Sequence, residues 1–351
     1  MFCNLLFYSK RILNVSKGLH ELGSIEWPLV LQYFVAVSIL FLFTIKGPQS
    51  IGKVVYATTI LPYILITILL IRGISMEGGF SGIVLMLAPD FSKLLNIYFW
   101  TNALIQALLM VLPCGGYLTM SRSNNFNHPS YREALIIPVI RFFTAIYVGM
   151  ATFSLIGAAL YASKASFHEL LYSIPMFVAF TDVLAKLPQP QVWSVIYFLA
   201  IGIYSISTNM ILFETVVSGV VETFPSLRSK RILVAAAIAV VLFIAGLPLC
   251  TQGGIYITQM VDAVSSILPM VILLFVTSIV VLFVYGWKRL ASDVKLMYGF
   301  IPAEGLLYAG WFATPFISAL LIIVGLTNAF GYSSYYDYTG YSVSKNLKFL
   351  L

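Results

Sequence analysis

The chain has 351 residues and a formal net charge of +7; 60% of it is hydrophobic, only 9% is Asp, Glu, Lys or Arg, and its mean hydropathy is +0.96. Soluble domains carry about 25% charged residues, so this chain lacks the charge to coat a water-facing surface, which excludes a soluble enzyme and a disordered scaffold. A nucleic-acid binder is excluded as well, because the basic residues sit in short clusters between apolar runs. What remains is a polytopic, all-helical membrane protein.

About 20 apolar residues are needed per helical crossing. Residues 1–27 carry Lys10, Arg11, Lys17, Glu21 and Glu26 and read as a loop, not a cleavable leader. Eight spans are expected, at 28–45, 54–71, 99–121, 136–161, 192–221, 232–249, 255–287 and 305–330. Between them, 81–97 reads as an amphipathic interfacial segment. The stretch 168–187, which holds His168, Glu169, Asp182 and Lys186, reads as a surface hairpin. The membrane domain is therefore 28–330, followed by a Tyr-rich polar tail, 331–351.

Lys and Arg set the orientation. One set of connections holds Lys46, Lys53, Arg122, Arg132, Arg228, Lys230, Arg231, Lys288, Arg289 and Lys295; the other holds Arg72, Lys93, Lys164 and Lys186. The first set is assigned to the cytoplasm. That puts residues 1–27 outside, which leads us to expect further spans upstream. Asn14-Val15-Ser16 is a formal glycosylation sequon on that side.

Chemistry-bearing residues inside apolar runs come next. Pro113-Cys114-Gly115-Gly116 interrupts the third span. It reads either as a discontinuous helix beside a solute or ion site or as a kink for close packing. Arg141, in the fourth span, must pair, face a water-filled cavity or snorkel. Glu214 lies in the fifth. Ser205, Ser207 and Thr208 offer hard oxygens to a Na⁺-like ion or serve as small packing residues. Asp262, two turns into the seventh span, reads as an entrance guard or cation ligand, or as an interfacial acid. His20, His128 and His168 are scattered in loops, and Cys3, Cys114 and Cys250 have neither disulfide nor zinc spacing. No enzyme constellation and no resident cofactor are expected.

The run Gly246-Leu-Pro-Leu-Cys-Thr-Gln-Gly-Gly-Ile-Tyr256 closely resembles the neurotransmitter:sodium symporter family (solute carrier family six), where it joins the ninth and tenth helices. Ser16-Lys-Gly-Leu19, Gly52-Lys-Val-Val-Tyr56, Leu61-Pro-Tyr63, Leu70-Ile-Arg-Gly73, Pro89-Asp-Phe-Ser-Lys-Leu94, Tyr131-Arg-Glu-Ala134 and Tyr285-Gly286 extend the likeness to about residue 330. The resemblance implies the family's fourth to eleventh helices, part of a leucine-transporter-like inverted repeat with the solute between broken helices. It also implies that the first three helices and the twelfth lie outside this sequence.

Position by position, the resemblance implies a sodium site built from the Tyr204 carbonyl, Ser207 and Thr208. It implies a chloride ligand at Gln106, an outer gate at Asp262, and a broken-helix substrate region at Leu109, Met110, Pro113, Cys114, Gly115 and Gly116. The chain departs from the pattern where Met110 stands for a family Ser or Thr, Arg141 for a sodium-binding Asn, and Ala145 for a chloride-site Ser. These departures put the first sodium site and chloride coupling in question, and the Arg141 guanidinium would either repel Na⁺ or stand in for it as a fixed positive charge. The expectation is a plasma-membrane, Na⁺-driven symporter of an amino acid or amine-like solute. The alternative is a non-transporting, truncated member that associates, as homo- or hetero-oligomer, with other membrane proteins.

Overall fold

A computed structural model describes residues 14, 16, 22–45, 47–111, 116, 121, 124–126, 128–163, 181, 183–185, 188–264 and 267–331. Among these, all regular structure is helical apart from one isolated antiparallel bridge between Ile25 and Thr251. In chain order the α-helices are α1 Trp27–Thr44, α2 Pro48–Ile74, α3 Gly79–Leu87, α4 Ile97–Val111, α5 Ser130–Ser163, α6 Pro190–Thr223, α7 Arg231–Gly246, α8 Gly254–Val264, α9 Ile267–Ile279, α10 Trp287–Tyr298 and α11 Glu304–Gly331. A π-helical segment, Val280–Gly286, joins α9 to α10.

Among the described residues, seven stretches are long and apolar enough to cross a bilayer. An eighth arises if Gly79–Leu95 and Phe99–Ala107 form one broken span, the alternative being a re-entrant loop. The expected interfacial segment 81–97 is thus one limb of that pair. In the expected span 99–121, α4 is described to Val111, Gly116 and Ser121 are helical positions, and 112–115 and 117–120 lie outside the described residues. Within the expected span 255–287 the described residues form α8, α9 and the π-helical segment, and residues 265–266 lie outside the described residues. The helices also begin earlier than hydropathy suggests, α5 at Ser130 and α6 at Pro190, because backbone hydrogen bonding carries a helix past the edge of its apolar stretch. Pro at the first or second position starts α1, α2 and α6, where its missing N–H is not needed.

The chain divides into two compact units. The first is Met1–Pro89, Pro113–Ser123 and Ile140–Met260; the second is Asp90–Leu112, Asn124–Val139 and Val261–Leu351. In the first unit α6 is central, packing on α1, α2 and α7. One core gathers Phe213, Val217 and Val221 of α6 with Val234, Ala235 and Ala239 of α7, and Val37 and Phe41 of α1 close over it. Another joins Leu69 of α2 to Leu155 and Ala159 of α5 and to Val183. Leu184 is fully buried too. In the expected surface hairpin, Val183 and Leu184 are thus turned inward, while Thr181 is half-buried and Ala185 exposed. Hydrocarbon gives helices little hydrophobic reason to associate, so small residues and polar bonds hold such packing together. Tyr33 supplies one such bond, donating from its hydroxyl to the Leu242 carbonyl at 2.7 Å while its ring stacks on Phe243 at 5.6 Å. Tyr33→Phe should cost about 1 kcal/mol, measured as a lower melting temperature in detergent.

The outer loop is tied to the turn after α7. Glu26 N–H donates to the Cys250 carbonyl at 3.0 Å, and Gln252 Nε2 donates to Ser24 Oγ at 2.9 Å and Glu26 Oε1 at 3.1 Å. The Gly-Leu-Pro-Leu-Cys-Thr-Gln-Gly-Gly run is thus a docking turn: its short 3₁₀ segment, Leu247–Cys250, holds the α7–α8 link against residues 22–26. In the second unit α9 packs on α11.

Candidate functional site

On α6, Tyr204, Ser207 and Thr208 fall within slightly more than one helical turn, so the helix alone brings the three together. Thr208 Oγ1 donates to the Tyr204 carbonyl at 3.3 Å. Ser207 Oγ lies 3.1 Å from the Ile203 carbonyl of its own helix and 3.4 Å from the Thr58 carbonyl of α2. That second carbonyl is available for a covalent reason: Pro62, four residues on and inside α2, has no N–H to give it. Ser207 Oγ and the Thr58 carbonyl, oxygens of the kind hard cations prefer, therefore meet at the α2–α6 contact, while Thr208 Oγ1 and the Tyr204 carbonyl pair on an exposed part of α6. The packing adds Thr58 to the set read from the sequence.

Beside it, α2 and α5 are joined by hydroxyls. Tyr63 shares a 2.6 Å hydrogen bond with Thr144, and Thr67 shares one of 2.5 Å with Tyr147. The two tyrosine rings stack at 6.3 Å. Tyr63 and Thr67 are exposed in the structure. Polar groups in a span are stable only when bonded, buried in protein or facing water. Arg141 lies on α5 one turn before Thr144, half-buried and engaged with its surroundings. It is 11 residues from the helix start at Ser130, roughly 16 Å along the axis.

The remaining predicted residues do not join this cluster within the first unit. Gln106 is exposed on α4, and Leu109 and Met110 lie on the last turn of the same helix. Asp262 is on the last turn of α8. All four belong to the second unit. Pro113, Cys114 and Gly115 lie outside the described residues; Gly116 is described as a buried helical position.

One arrangement joins two residues that the sequence places apart, Glu214 in a span and Arg231 in a connection. Glu214 is fully buried and accepts hydrogen bonds from Arg231 Nη2 at 2.5 Å and Ser218 Oγ at 2.7 Å. Glu214 and Ser218 are four apart on one helix face, a signal visible in the sequence; the arginine, across the α6–α7 link, is not. Gly47, with φ +69, passes the guanidinium so closely that a Cβ there would come within 2.6 Å of Arg231 Nη2.

Long apolar helices, hydroxyls bonded across helices, and an ion pair buried at a helix junction define a multi-pass helical membrane protein. Over residues 3–351 the sequence matches the profile of the sodium:neurotransmitter symporter family, and the chain belongs to that family. It is similar to the sodium- and chloride-dependent glycine transporter 2 of Xenopus laevis, 32% identical over 90% of this chain and 40% of that protein. It is equally similar to the sodium- and chloride-dependent glycine transporter 1 of the same species, 32% identical over 90% of this chain and 51% of the relative. The chain thus spans about half the length, or less, of the curated relatives it matches.

Proposed function

We propose that this chain serves in a sodium-coupled symporter of the plasma membrane that moves an amino acid or amine-like solute by alternating access, with residues 28–330 as the transport domain. The observation that carries the reading is the meeting of Ser207 Oγ with the Thr58 carbonyl, on the helix that also presents Tyr204 and Thr208. A Pro-freed carbonyl beside hydroxyls on a packed neighbouring helix can hold Na⁺ without a buried carboxylate. The names of both relatives, which couple sodium to glycine, support a small amino acid as solute. Chloride is not part of the proposal: Gln106 alone retains the family's ligand, while Met110 and Ala145 offer no side-chain oxygen. Asp262 is proposed as an outer gate, and Leu109 to Gly116 as the solute-facing region.

The test is uptake of labelled amino acids by protein reconstituted in liposomes, in sodium against choline. Thr208→Ala should raise the half-saturating sodium concentration about tenfold, the loss of one ligand bond worth about 1.4 kcal/mol. Uptake of equal size in sodium and choline overturns the reading. Uptake that keeps its sodium dependence in Thr208→Ala removes that residue from the site.

A further inference from the structure

Helix α10 is unlike the spans around it. Its sequence is amphipathic, with Lys288, Arg289, Ser292, Lys295 and Leu296 exposed. Ala291 is buried, and Leu290, Val294 and Met297 are half-buried. Lys288, Ser292 and Lys295 stand at i, i+4 and i+7 and so form one stripe, flanked by Arg289.

The inner edge of the helix is pinned by aromatic contacts at both ends. Trp287 meets Tyr308 and Phe312 of α11 at 5.8 and 6.0 Å, and Tyr298 meets Tyr131 at 5.3 Å. Arg132 stands over that same Tyr131 ring at 5.7 Å, bringing a fourth cation to the far end of the stripe. Lys288 and Arg289 lie over the Trp287 and Tyr285 rings at 5.5 and 5.0 Å. Asp293, the single acid of the helix, takes the Tyr285 hydroxyl. The outward face is therefore cationic and held in place.

What precedes α10 locates it. The stretch that passes as a span, Pro269–Tyr298, is apolar only as far as Gly286, and Phe283 and Val284 are 62% and 77% exposed just before that point. Such side chains face hydrocarbon. At Gly286, φ +97 turns the backbone through a conformation that a side chain would strain, and the cations begin at the second residue after it. The stripe thus starts where the hydrocarbon-facing surface stops, at the depth of lipid phosphates. Basic residues held near such a surface gain about 1 kcal/mol each from anionic lipid.

We propose that Lys288, Arg289 and Lys295, with Arg132 at the far end, bind the headgroups of anionic phospholipids in the leaflet that borders α10, the cytoplasmic one by the distribution of Lys and Arg. The exposed Leu296 dips into the acyl boundary beside them. This surface is independent of the sodium cluster and stands whether or not the chain transports.

The experiment compares lipid retention by native mass spectrometry after reconstitution in phosphatidylcholine nanodiscs with and without phosphatidylserine. The triple variant K288Q/R289Q/K295Q, changed only at exposed positions, should bind phosphatidylserine about a hundredfold more weakly and retain phosphatidylcholine unchanged. Its melting temperature in phosphatidylcholine should equal that of the parent, separating lost binding from lost fold. Lys93→Gln, at a basic residue of the same unit that pairs with Asp90, should leave phosphatidylserine retention unaltered. Equal retention by the triple variant and the parent overturns the proposal and leaves a merely solvated face. A loss of similar size in Lys93→Gln overturns it in favour of nonspecific attraction to net charge.

Discussion

Glu214→Ala should destabilise the chain by about 3–5 kcal/mol, because it leaves the Arg231 guanidinium half-sheltered without its counter-charge. The Glu214 side chain is fully buried and that of Arg231 is 25% exposed, so water can compensate only part of the loss. The lesion should appear as a lower melting temperature in detergent and as reduced monodisperse yield. The pair also bridges the last turns of α6 to the start of α7, so their packing should loosen. The double replacement Glu214→Leu with Arg231→Met should recover most of the loss, since a well-packed apolar pair removes both charges together. If Glu214→Ala melts with the parent, the pair contributes nothing to stability.

The second large effect is expected where α3 crosses α5. Gly82 and Gly157 bring the two backbones into direct contact: a Cβ on Gly82 would lie 2.9 Å from Gly157 Cα, and one on Gly157 would lie 2.6 Å from Gly82 Cα. Backbone cannot give way as a side chain does, so Gly157→Val should force the helices apart and cost about 1–3 kcal/mol or more. Gly82→Val should add little to it, because both act on one contact. Gly149→Val provides the contrast. Its new Cβ would meet the end of the flexible Met86 side chain, at 2.8 Å from Cε, and the melting temperature should barely move. Equal shifts for Gly157→Val and Gly149→Val would show that this crossing is not tight.

Parts of the candidate site are legible in the amino-acid sequence. Tyr204, Ser207 and Thr208 are close because a helix repeats every 3.6 residues, a local rule that sequence carries. Thr58 is not legible as a site member: Pro62 announces a freed carbonyl somewhere on α2, but only the packing of α2 on α6 sets Ser207 opposite it. The hydroxyl pairs show the same limit. Tyr63 with Thr67, and Thr144 with Tyr147, each share a face by spacing, yet that these two faces meet is a property of the α2–α5 contact.

The amino-acid order alone determined that this chain is a helical membrane protein and belongs to the sodium:neurotransmitter symporter family. Hydrocarbon leaves a peptide group no partner but its own helix, so long apolar runs with few charges have one structural solution, and the Gly246–Tyr256 run carries the family's mark. Tertiary structure alone decided which charges and hydroxyls meet. Glu214 reaches Arg231 across a helix junction, Val183 and Leu184 turn inward, and α10 turns three cations outward at the end of its span. These outcomes depend on how helices pack, and an apolar sequence specifies helix packing only weakly because lipid and neighbouring helix are nearly equivalent surroundings for its side chains.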